Sequence, residues 1–515
     1  MNKPSKADEL VSLAQAEFSG LSEAELRLLR AAANGGQAVC GPSNNFNDAS
    51  NDPAKSDGWG VEREIRAELL RWLCLDREAS SRVDPAGLQV LGAKITGALN
   101  LSFGSVPFPL GLFRCRLLEP AQLRSTQIPA LYLNGSRTKS IFADGVNVKG
   151  SVFLRQGFTA EGEVQLLGAQ IGGNLECSGG AFKNAGGKAL DADGAKVKGS
   201  VFLRQGFTAE GEVLLLRAQI GGNLQCDGGA FSALSAETAV IKGGLLWRQI
   251  ANPQNAKLNL INASVGAIVD DEASWPKAGN LALDGFVYQR FSGRKTPKDA
   301  KKRLEWLDRL DEFSTQPYRQ LAKVLRETGD ERGADRVLYE MERRAWQREA
   351  ELAIQEGQRD GRVAARARFL SWWLRAKACI LRITIGYGVY PLRVWEALAF
   401  LVALGFSLFH LGYFRGAMTP VASSAAGQTA YLFFKSHGRR PDGYPAFNSL
   451  AYSVENTIQV LRLGQSRYWA PDPSPPTGRP FPAFLRWFRW FQIVAGWVLV
   501  ALFLAGVTGI ARRRE

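Results

Sequence analysis

Histidine is almost absent from this 515-residue chain: His410 and His437 are the only two. A histidine-based metal site or a Ser-His-Asp triad is therefore excluded from the first 400 residues. The six cysteines, Cys40, Cys74, Cys115, Cys177, Cys226 and Cys379, stand far apart with no CxxC pair. Such spacing points to neither a zinc ribbon nor a disulfide framework. There is no strand-associated GxGxxG, no P-loop and no haem CxxCH, so no cofactor, metal or catalytic residue is expected. Met1 to Gly20 is charged and has no apolar stretch, so no cleavable signal peptide is expected and the N-terminal part reads as cytoplasmic.

Acidic residues are scarce in one region only. Overall, 64 Lys and Arg face 49 Asp and Glu, a net charge of +15. Taken alone, that excess would suggest nucleic acid or an anionic surface as partner. Residues 1–294 hold 30 basic and 29 acidic side chains, 295–360 hold 15 of each, and 361–515 hold 19 against 5. The excess thus lies among long apolar runs. It argues against nucleic acid and for a bilayer with an anionic inner surface.

The most informative positive feature is an internal repeat. Val148–Phe182 and Val197–Phe231 agree at 31 of 35 positions, and VKGSVFLRQGFTAEGEV recurs unchanged. A shorter frame, apolar-x-Gly-x-apolar-x-apolar, runs through Val148/Gly150/Val152/Leu154, Ile171/Gly173/Leu175/Cys177, Val197/Gly199/Val201/Leu203, Ile220/Gly222/Leu224/Cys226 and Ile241/Gly243/Leu245/Trp247. An earlier copy stands at Ile95/Gly97/Leu99/Leu101. From Gly150 the motif glycines advance by 23, 26, 23 and 21 residues. Alternating apolar residues turn one strand face inward, and a rung of this length suits one coil of a right-handed parallel β-helix. Cys177 and Cys226 then occupy equivalent inward positions two coils apart. Lys149, Arg155, Glu161 and Glu163, with Lys198, Arg204, Glu210 and Glu212, repeat along the stack and read as a solvated face, with a ligand-binding strip as the alternative.

The expected organisation has four parts. Residues 1–84 form an N-terminal helical cap with a flexible loop, 85–290 the β-helix, 291–360 a helical connector, and 361–515 a basic juxtamembrane helix plus a two-helix transmembrane domain. From Pro317, PYRQLAKVLRETGDERGADRVLYEMERR resembles one helix-turn-helix of tetratricopeptide type, and a single copy cannot build a binding groove.

Val394–Phe414 is an apolar run of 21 residues and Phe491–Ile510 one of 20, each long enough to cross a hydrocarbon core of about 30 Å. Ala501, Ala505 and Gly509 make a small-residue stripe suited to close helix packing. Seven Lys or Arg and no acid lie between Arg362 and Arg393, and the C-terminus reads Arg512-Arg513-Arg514. Both flanks are expected on the cytoplasmic side. Arg362, Arg366, Arg368, Trp372, Trp373, Arg375 and Lys377 are the candidate membrane-surface residues of a basic amphipathic helix. Thr384-Ile-Gly-Tyr-Gly388 has the letters of a potassium filter. It precedes the first span without a pore helix, and so reads as a turn. Between the spans, Ser449–Leu463 is helix-like, which makes Asn456, Thr457, Gln459 and Gly464 candidate pore-lining residues; a packing helix is the alternative.

The helix IRAELLRWLCLD, the segment VPFPLGLFRC, the GAQIGGNLEC rungs, PYRQLA and the two spans resemble a group of bacterial membrane proteins with pentapeptide-like or β-helical repeats. Such proteins are sometimes labelled membrane-associated oxidoreductases, and the resemblance implies that activity as one reading. The residues themselves favour a scaffold anchored in the inner membrane, its large N-terminal part cytoplasmic, binding an unknown protein partner on the solenoid. A solenoid-regulated two-span pore is the other reading, and self-association stays open.

Overall fold

The computed structural model describes residues 5–359, 364–472 and 480–507. The chain divides into two compact units, Met1–Val337 and Leu338–Glu515, so the division falls inside the expected helical connector.

The first unit is a parallel β-solenoid of about nine turns. Each central coil sends four short strands into four parallel columns, seen in Asn147–Val148, Val152–Phe153, Thr159–Ala160 and Val164–Gln165. In the second column Val152 pairs with Leu175, Leu175 with Val201, Val201 with Leu224, and Leu224 with Leu245. Those offsets of 23, 26, 23 and 21 residues are the glycine spacings of the sequence, because each motif glycine lies a fixed two residues before the paired residue. Inward side chains such as Val152, Leu175, Cys177, Val201 and Cys226 are buried, each larger apolar one worth roughly 1.5–3 kcal/mol. Phe158, Phe182, Phe207, Phe231 and Trp247 stack inside with ring centroids 5.5, 5.2, 5.4 and 5.2 Å apart.

The corners carry their own chemistry. At Gln156-Gly157 and Gln205-Gly206 two successive residues have positive φ, which the glycine adopts without strain. Asn174 and Asn223 tie coils together: their side-chain oxygens accept from the amides of Ser200 (2.9 Å) and Gly244 (2.7 Å). The 26-residue coil takes up its surplus at Lys188/Leu190, where the register with the following coil shifts.

Before the coils come α1 (Lys6–Glu17), α2 (Glu23–Asn34), α3 (Ala67–Leu75) and α4 (Arg77–Arg82). Ala38–Val39 and Glu64–Arg66 already pair as first strands of two columns. Ser22 and Glu25 form a capping box at the start of α2. The buried Glu25 also receives Nε and Nη2 of Arg66, both at 2.8 Å.

After the last coil come α5 (Ala300–Leu307), α6 (Gln316–Glu327) and α7 (Glu331–Arg359), whose first residues belong to this unit. Arg303 of α5 is fully buried. Its guanidinium grips the Asp270 carboxylate with two bonds of 2.7 Å and donates through Nε to the carbonyl of Pro297 at 2.8 Å.

The second unit contains the rest of α7, then α8 (Ala364–Ile385), α9 (Val394–Phe414), α10 (Ala425–His437), α11 (Ser449–Thr457), α12 (Gln465–Tyr468) and α13 (Phe481–Val507). Met418–Pro420 and Trp469–Pro471 form a small antiparallel pair. Val394–Phe414 and Phe481–Leu504 are long and apolar enough to cross a membrane. Phe400, Phe414, Trp487, Phe491, Val494 and Trp497 are exposed on them, as side chains facing lipid would be. The second helix starts at Phe481, ten residues before the apolar run that marks it in the sequence. Arg489, the last charge before the run, lies over the Tyr452 ring at 5.7 Å, and Arg486 donates to the carbonyl of Asp472 at 2.8 Å.

Candidate functional site

Three places combine polar chemistry with a concave or desolvated setting. The first lies on the fourth column of the solenoid. Thr208–Leu214, Ala230–Ser235 and Lys257–Asn259 run side by side, and their outward residues, with Leu216 and Ile261, line a groove of about 520 Å³. Its floor includes the half-buried Leu214, Leu216 and Ile261; Glu212, Glu237 and Asp311 stand around it against Lys257 alone. The groove is therefore apolar at its base and acidic at its rim.

The repeated charges diverge in setting. Glu161 accepts from Arg116 at 3.0 and 3.2 Å and from Arg137 at 2.5 Å. Burial alone would raise its pKa, but these two guanidiniums hold it below the ordinary value. Its counterpart in the second repeat, Glu210, is exposed. Arg155 and Arg204 lie over Phe153 and Phe202 at 4.7 and 4.5 Å, so these repeated cations are partly used in stacking on the solenoid's own surface. Cys177 and Cys226 are both fully buried, two coils apart.

The second place is the polar centre of the second unit. Gln492 of α13 is fully buried, and its Nε2 lies 2.8 Å from both Ser453 Oγ and Thr457 Oγ1 of α11. Those hydroxyls spend their own protons on the carbonyls of Val402 and Ser453, each at 2.8 Å, so they accept from the amide. Glycine makes the approach feasible: a Cβ at Gly405 would collide with Ser453 Oγ and Gln492 Nε2, and one at Gly496 with the Thr457 carbonyl. Of the candidate pore-lining residues, Asn456 and Thr457 are buried, Gln459 pairs with α13 through Trp497 Nε1, and Gly464 turns the chain at φ 77°. Ala501 is exposed, whereas the side chain of Ala505 and the whole of Gly509 lie outside the described residues. Gln492 escaped notice because uncharged residues do not interrupt an apolar run. A lone amide inside a span was the available signal.

The third place is α8. Trp372 and Trp373 are exposed, at 62% and 53%, and Arg375 and Lys377 are exposed beside them. Lys377 Nζ sits 5.1 Å from the Trp346 ring centre. Arg362, Arg512, Arg513 and Arg514 lie outside the described residues, as do the side chains of Arg366 and Arg368. Of the Thr384–Gly388 stretch, Thr384 and Ile385 end α8 and Gly386–Gly388 turn the chain towards α9, with Gly386 and Tyr387 at positive φ. His410 Nδ1 faces Ser449 Oγ at 3.2 Å. Among the described residues, no group of three or more His, Cys, Asp or Glu is arranged to hold a metal ion.

Comparison of the chain with protein-family models, characterised proteins and solved structures returns no match.

Proposed function

We propose that this protein is a binding scaffold: a right-handed β-solenoid, closed by its terminal helices and anchored in the inner membrane by a two-helix hairpin, with the solenoid on the cytoplasmic side. The observation that carries this reading is the groove of about 520 Å³, with Leu214, Leu216 and Ile261 at its base and three carboxylates against one lysine around it. That pattern is complementary to an extended protein segment presenting basic and apolar side chains in alternation. The basic residues between Arg362 and Arg393, which have no acid among them, support the cytoplasmic placement and the affinity for an anionic leaflet.

The test uses the full chain in detergent and a fluorescent peptide of alternating lysine and leucine. Binding is expected to saturate and to weaken more than tenfold in the Glu212→Lys/Glu237→Lys/Asp311→Lys variant, since each ~1.4 kcal/mol lost is a factor of ten. Equal affinity for both proteins would overturn the assignment of the groove. A second reading, a solenoid-regulated pore, is favoured by the half-length helix α11 lying against both spans. Bilayer recordings of the purified protein distinguish it, and silence across ions and voltages would count against it.

A further inference from the structure

The groove of the solenoid leaves a separate cavity unexplained. It has about 410 Å³ and lies between α7 and α8 within the second unit. Arg343, Arg375 and Arg382 line it, with Trp346 and Tyr387 as aromatic walls and Cys379 at its edge. Arg343 is engaged by Glu340 at 2.5 Å. Arg375 and Arg382 have no ion-pair partner among the described residues. The one carboxylate in the lining, Glu351, has Arg348 at 3.8 Å.

Helical spacing explains how α8 serves two surroundings. Arg375, Cys379 and Arg382, at i, i+4 and i+7, share one stripe facing the cavity. Leu381, on another stripe, packs against the apolar cluster of Val394, Leu398 and Leu401 at the base of the spans. Trp372, Ile380 and Ile383 form a third stripe, adjacent to the arginines and exposed at 62%, 53% and 64%. A group held by the arginines would thus have an exposed apolar track beside it.

We propose that this cavity is a phosphate-binding site, taking either the phosphate of an anionic lipid headgroup or a free phosphate ester. Two unpaired guanidiniums offer forked donors that match phosphate oxygens, and a third completes the positive wall. The aromatic walls lower the local dielectric and strengthen those bonds. The Trp372/Ile380/Ile383 track is the path acyl chains would follow. This site does not depend on the solenoid groove; only its lipid arm rests on the membrane-anchored reading.

Cys379 supplies the probe, because it is exposed whereas the other five cysteines are buried. The full chain in phosphatidylcholine nanodiscs is treated with iodoacetamide, a neutral reagent, and Cys379 alkylation is followed by mass spectrometry. Phosphatidylglycerol in the disc, or glycerol 3-phosphate in solution, is expected to slow the reaction, about fivefold at four times its dissociation constant. Protection by the lipid alone assigns the site to a headgroup; protection by the soluble ester alone assigns it to a free phosphate. The Arg375→Gln/Arg382→Gln variant should lose protection while matching the native rate in phosphatidylcholine, and Arg415→Gln should keep it. Unchanged alkylation with both ligands, protection that survives the double variant, or equal protection by oleate, an anionic carboxylate, would each overturn the proposal.

Discussion

The contact between Arg303 and Asp270 is where removal of a single group should be felt most. Asp270 stands on the last long strand of the second column and Arg303 thirty-three positions later on α5, and both are buried. The two bonds of 2.7 Å are supplemented by Trp275 Nε1, which donates to Asp270 at 2.8 Å. The guanidinium also lies 3.8 Å from the centre of the Phe291 ring and 5.2 Å from that of Trp306. Asp270→Asn leaves the guanidinium without its counter-charge, and Arg303→Met strands the carboxylate. Each should cost about 3–5 kcal/mol, the penalty for an uncompensated buried charge. Replacing both, as Asp270→Asn/Arg303→Met, leaves no charge to strand and should cost far less than the two singles together. Hydrogen exchange of the full chain in detergent reads this directly. Amides of the last coils and α5 should exchange roughly 10²–10⁴ times faster in each single variant, at a factor of ten per ~1.4 kcal/mol. The double variant should recover much of the protection. Additive losses, or protection unchanged in the single variants, would refute the reasoning.

Two further perturbations test other parts of the chain. Gly496→Ala places a methyl against the Thr457 carbonyl, and Gly405→Ala places one against Ser453 and Gln492; each should destabilise the second unit by about 1–3 kcal/mol, read as a lower thermal midpoint in detergent, whereas Gly438→Ala meets no neighbour and costs only its positive-φ strain. Glu25 is subject to burial, which raises its pKa, but the Arg66 bond, backbone donors and Arg66 charge together set it below the ordinary 4.5. A lowered folded pKa stabilises above the unfolded value and is lost as pH falls through the folded one. Protection of α2 should therefore fall in acid below about pH 4.5, measured by exchange corrected for intrinsic rate, and Glu25→Gln should remove most of that dependence.

The coil register was legible because chemistry and geometry share one period. A glycine lies two residues before each inward pair, so the spacing of Gly150, Gly173, Gly199, Gly222 and Gly243 in the chain equals the pairing of Val152, Leu175, Val201, Leu224 and Leu245 in space. The two candidate spans were legible for a comparable reason: an unbroken apolar run of about 20 residues is the length that would cross a bilayer, and it shows in the sequence directly. Their limits were less so. The second helix begins at Phe481, ahead of Arg486 and Arg489, which contact the Asp472 carbonyl and the Tyr452 ring, contacts that hydropathy cannot register.

The scarcity of histidine, the lack of paired cysteines, the repeat and the two apolar runs follow from residue order, because each is a local or periodic property. Contacts between distant residues that no repeat marks were decided only by tertiary structure. Arg303 reaches Asp270 across 33 positions, Gln492 reaches Ser453 across 39, and Arg343 comes to share a cavity with Arg375 and Arg382. In the sequence these were one charge among many and one amide in a run. Burial changed their meaning, since a polar group taken out of water must find a partner or bind one.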